Sequence, residues 1–134
     1  MNVLYAVVCE QASSRPDGRV DIGGIFHQLF APGFPAQQDE LVIAVAIEWD
    51  AGEEGRHEFR IDLTDPQGSP ALTIRGHTDV GGFVAGESLP QTRLVMPLHN
   101  VVFPMAGTYL FELVLGERRE KLCPIHLVEN PDAR

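Results

Sequence analysis

Positive charge is scarce in this chain: ten Lys and Arg stand against nineteen Asp and Glu, a net of −9 over 134 residues. A surface so negative repels a phosphate backbone at long range, which argues against a general nucleic-acid role. It argues equally against docking on anionic lipid. It leaves room for a cationic partner or a local basic patch. Long apolar runs are missing too. No stretch approaches the ~18–20 residues of a membrane helix, so no membrane role is expected. The opening Met1–Glu10 segment is apolar and contains Cys9. It has no basic residues ahead of its short apolar run, and bulky Val8 stands where a cleaved leader needs a small side chain. It reads as a first strand, and with no export signal the expected location is the cytoplasm.

Cysteine is limited to Cys9 and Cys123, and neither lies in a C-x-x-C motif. That excludes the zinc-ribbon and thioredoxin readings. Both read as buried thiols on strands. A bridge between the first and last strands is a further option, without support in a reducing compartment. Uninterrupted space for a long helix is also missing, because ten prolines and thirteen glycines are spread along the chain.

What is present is turn chemistry about every ten residues. Arg15-Pro16-Asp17-Gly18 and Asp65-Pro66-Gln67-Gly68 place Pro and Gly as tight turns use them. Leu115-Gly116-Glu117-Arg118 has Gly first in a two-residue hairpin. Between turns the period is two. Over 56–64, His57, Phe59, Ile61 and Leu63 share one face and Arg56, Glu58, Arg60, Asp62 and Thr64 the other, a strand with one wet face. Over 108–115, Tyr109, Phe111, Leu113 and Leu115 form the inner set. Residues 41–49 are apolar on both faces, with Glu48 the one charge. Such a strand is central, or its outer face is covered by a loop or a partner. Gly23-Gly24 interrupts an alternating stretch and marks a bulge or a close backbone approach.

The expected strands are 2–10, 18–30, 40–49, 56–64, 71–76, 92–99, 107–115 and 118–128. Eight short strands joined by Gly and Pro turns predict an all-β fold, an antiparallel β-sandwich of Greek-key or jelly-roll type. At 134 residues one domain is expected, over 1–128, with 129–134 a fraying tail. Such a domain hides roughly two thirds of its unfolded surface, enough for a core without metal or disulfide staples. Residues 77–90 lack a period and read as a mobile loop.

Several segments together resemble a family of small uncharacterised bacterial proteins. They are Val3-Leu4-Tyr5-Ala6-Val7-Val8-Cys9-Glu10, Gly23-Gly24-Ile25-Phe26, Phe30-Ala31-Pro32-Gly33-Phe34-Pro35, Asp65-Pro66-Gln67-Gly68 and Val102 to Glu112. The resemblance implies a β-sandwich of about this length. It brings no activity and no functional residues to transfer.

Chemical constellations are sparse. No two of His27, His57, His77, His99 and His126 are spaced to share a metal from one strand face or one helix. Asp50-Ala51-Gly52-Glu53-Glu54-Gly55 is an acidic turn of the kind that gathers Ca²⁺ ligands, but a solvated turn explains it as well. No Gly-x-Ser-x-Gly or phosphate loop occurs, and Glu10 beside Cys9 works against a thiolate nucleophile. No catalytic residue, metal or cofactor is therefore expected. Phe34, Trp49 and Phe83 are the candidate interaction surface, if the loops carry them outward. The expectation is a non-catalytic protein-interaction or assembly module that self-associates as a dimer, because the 41–49 strand asks for cover and sandwiches have edges that pair. The alternative is a small-ligand or metal site, with or without catalysis, built by loops 31–39, 50–55 and 77–90.

Overall fold

The computed structural model describes residues 1–133; Arg134 lies outside the described residues. Nine strands follow in chain order: β1 (Asn2–Ser14), β2 (Val20–Phe26), β3 (Gln28–Ala31), β4 (Ala36–Glu48), β5 (Gly55–Thr64), β6 (Pro70–Val80), β7 (Gln91–Phe103), β8 (Gly107–Leu115) and β9 (Arg118–Glu129). They build a four-stranded sheet A, β2-β1-β4-β7, and a five-stranded sheet B, β3-β9-β8-β5-β6. Every pairing is antiparallel except β3 on β9. The two sheets pack face to face as the alternating strands require.

The core is made of alternate residues. Leu41, Ile43, Val45 and Ile47 of β4 meet Ile61 and Leu63 of β5, Tyr109, Phe111 and Leu113 of β8, and Ile125 and Leu127 of β9. Phe103 and Tyr109 form an edge-to-face pair with ring centres 5.0 Å apart.

Five of the expected strands differ from the structure. Two are longer: β1 continues from Glu10 to Ser14 in pairing with β2, and β4 begins at Ala36 rather than 40, paired with the end of β7. The stretch read as one strand, 18–30, is two, because the chain leaves sheet A after Phe26 and enters sheet B at Gln28. Alternation of side chains continues through such a switch and does not report it. Residues 77–80 belong to β6 rather than to a loop, which leaves 81–90 between β6 and β7. β7 runs on to Phe103 because Asn100, with φ 55°, turns the alternation over. Leu94, Met96 and Leu98 face the core before it, and Val101 and Phe103 after it. Gly23-Gly24 proves to be the close approach, not a bulge. The β1–β2 register runs without a shift, and Gly24 (φ +69°) leaves room for the Glu10 side chain where a Cβ would stand.

Sheet A also carries a third layer. Cys9, Val42, Ala44 and Ala46 are buried, yet they lie off the core cluster, on the opposite face from Val8, Ile43, Val45 and Ile47. Their cover is the β1–β2 hairpin. Arg93 stands opposite Ala46 on that outer face and donates from Nη1 to the carbonyl of Gly18 at the hairpin tip. β1 leaves β4 after Cys9, level with Val42. Continued straight, its end would lie about 30 Å from the level of Arg93 at ~3.3 Å per residue, far beyond an arginine's reach. The hairpin is therefore folded back across β4. It is two-sided: Ala12, Val20 and Ile22 are half-buried while Gln11, Ser13 and Asp21 are exposed. Small Ala44 and Ala46 let it lie close.

Candidate functional site: an open sheet edge

Of the three aromatics expected at the surface, Trp49 is buried, only 1% exposed, and plugs one end of the core. Its Nε1 donates to Thr92 Oγ1 at 2.8 Å, Thr92 Oγ1 is 3.0 Å from Thr78 Oγ1, and the indole stacks on His57 at 4.5 Å. An indole with one polar atom is well placed where the core meets a short polar chain. Phe34 is half-buried and packs on the core. Phe83 is exposed in the 81–90 loop. Phe34 precedes β4 and the Trp49 turn follows it, so the 13 residues of β4 hold the two ends of the sandwich roughly 40 Å apart at ~3.3 Å per residue. The three aromatics do not form one patch.

The same length separates one of the three loops expected to build a ligand site from the other two. Loop 50–55 and loop 81–90 share an end: a Cβ on Gly82 would lie 3.4 Å from Glu54 Oε2. Residues 31–35 lie at the other end. The acidic turn is occupied from within. The amino group of Met1 donates to Asp50 Oδ2 and Glu53 Oε1, both at 2.6 Å, and these bonds hold both carboxyls below their ordinary range. A cleft of about 580 Å³ lies beside the hairpin tip, lined by Ser14, Gly18, Gly81, Pro90 and Arg93 among others. Among the described residues no three His, Cys, Asp or Glu side chains gather as a ligand set.

Cys9 and Cys123 are free. Cys9 faces the covered outer side of sheet A, with Sγ 3.5 Å from the carbonyl of Val42. Cys123 packs against the core from sheet B. Burial pushes both thiols up, Cys123 to about 12.

The outer face of sheet B is bare and charged. Asp62, 6% exposed, holds Arg60 at 3.0 Å and accepts from Thr73 Oγ1 at 3.0 Å. Arg119 reaches Glu112 at 3.4 Å and Asp62 at 3.5 Å. The Asp62 carboxylate thereby offsets the direct cross-strand opposition of Arg60 and Arg75.

This face ends at β6, and β6 is the edge the fold leaves open. Its main chain bonds to β5 alone among the described residues. Other edges are blunted. β7 carries Pro97 and the kink at Asn100, β2 has seven residues with the left-handed Gly24 among them, β3 has four residues, and β1 upstream of Val8 has a register shift between Val3 and Tyr5. From Leu72 to Val80, β6 pairs in unbroken register with no proline and no lysine. Sequence reading missed this edge because Gly76 and Thr78 stand where inner-face apolar residues would have shown the period.

A family model, Family of unknown function (DUF6941), matches residues 4–128, and the chain belongs to that family. No curated protein matches it.

Proposed function

We propose that this protein is a non-catalytic interaction module that self-associates as a dimer through the open edge of sheet B. The observation that carries this reading is β6: a long, regular strand with an unpaired row of main-chain donors and acceptors. Such an edge is a template for a second strand, and the commonest closed assembly uses the same patch twice. The apolar outer face of β4 does not carry the proposal, since the chain's own hairpin supplies its cover. Sedimentation velocity from one to a hundred micromolar tests it. The expected result is a concentration-dependent species of twice the chain mass. A monomer throughout that range overturns the reading.

A further inference from the structure

Resting on that reading, we infer that the two copies pair β6 against β6 antiparallel, in the one register that sets His77 opposite His77. The segment Ile74-Arg75-Gly76-His77-Thr78-Asp79-Val80 is complementary to its own reverse. Centred on His77, Arg75 of each copy stands opposite Asp79 of the other, and Ile74 stands opposite Val80. The faces agree as well as the sequence. Arg75, His77 and Asp79 are exposed on the outer face, whereas Ile74 packs against the core and Val80 is buried in it. Antiparallel neighbours directly opposite each other share a face, so charge meets charge and apolar meets apolar.

Both charges are free to do this. Among the described residues neither Arg75 nor Asp79 has an ion-pair partner, although Arg56, Arg60 and Glu58 on β5 are all paired. Other registers lose the match. A shift of two residues sets Arg75 against His77 or Gly81, and a shift of one turns the charged face toward the core. The expected product is one continuous ten-stranded sheet, with an ion pair on either side of the two-fold axis.

Charge reversal and cross-linking test this together. Arg75→Asp and Asp79→Arg each turn two attractive cross-strand pairs into two repulsive ones, so each weakens the dimer by about 30-fold. Mixing the two variants in equal amounts restores it, because both pairs in the mixed dimer are again opposite in sign. Oxidised His77→Cys gives a covalent dimer, since its sulfurs meet at the axis, while Ala71→Cys does not. A wild-type dimer that tolerates both reversals and yields no residue-77 cross-link overturns the register and leaves the dimer standing. A wild-type monomer overturns the dimer itself.

Discussion

β4 and β5 hold equivalent places, each an interior strand of its sheet with a partner on both sides. Their sequences are nevertheless opposite in kind. β5 alternates, with Arg60 and Asp62 outward and Ile61 and Leu63 inward. β4 is apolar on both faces from Leu41 to Ile47. Being central therefore does not make a strand apolar on both sides. What differs is the third layer: the β1–β2 hairpin lies over β4, and no strand among the described residues lies over β5. A run of apolar residues in a sandwich strand reports what stands above the sheet as much as what stands beside the strand.

A charge placed on the covered face strikes hardest at this distinction. Ala44→Asp buries an unpaired carboxylate beneath the hairpin and is expected to cost about 3–5 kcal/mol in urea unfolding. Glu58→Ala on the bare face should stay within about 0.5 kcal/mol. Equal, small losses in the two would erase the difference between the faces.

Intermediate effects are expected where the bare face holds a buried charge, Asp62. Asp62→Ala leaves Arg60 facing Arg75 and removes the acceptor of Thr73. A loss of about 1–2 kcal/mol is expected, limited because both arginines keep contact with water. An unchanged midpoint would mean that the charged rows on sheet B are solvated surface only.

Removing the clasp tests the cover itself. Arg93→Ala should change global stability by no more than about 1 kcal/mol, since the bond is exposed. Amides of 8–14 and 20–26 should nevertheless lose protection from hydrogen exchange while β4 and β5 keep theirs. Uniform protection in the variant would show that the hairpin is held by its apolar side alone.

The smallest effect concerns the thiols. With both pushed up by burial, neither Cys9 nor Cys123 should react with a thiol reagent at pH 8 in the native protein. In Arg93→Ala, Cys9 should react before Cys123. The raised Cys123 value also fixes a sign. Its contribution to stability is intact below the ordinary thiol range near 8.5, and it declines as pH rises from there toward 12. Rapid modification of Cys123 in the folded protein would contradict its packing against the core.

Much of the fold was legible in the residues. The strands over 55–64, 107–115 and 118–129 fall within one residue of expectation, because large apolar side chains alternate with charges and Gly or Pro turns bound them. The candidate edge was less legible. Gly76 and Thr78 interrupt the apolar row, so the strand expected from 71 ends at Gly76. The charged row Arg75, His77 and Asp79 carried the period, but a charged row does not by itself distinguish a strand from a loop. The sequence offers Trp49 as surface, whereas it is buried, because its place depends on Thr92 and His57, residues far off or on another strand.

The sequence by itself determined that the chain forms strands, which residues of most of them face inward, and where most turns fall. These are local consequences of side-chain alternation and backbone preference. Only the tertiary structure decided that 20–31 serves both sheets, that a hairpin folds back over β4, and that β6 has no second neighbour among the described residues. Each of these depends on which strand lies next to which, and a period of two is the same whatever the neighbour.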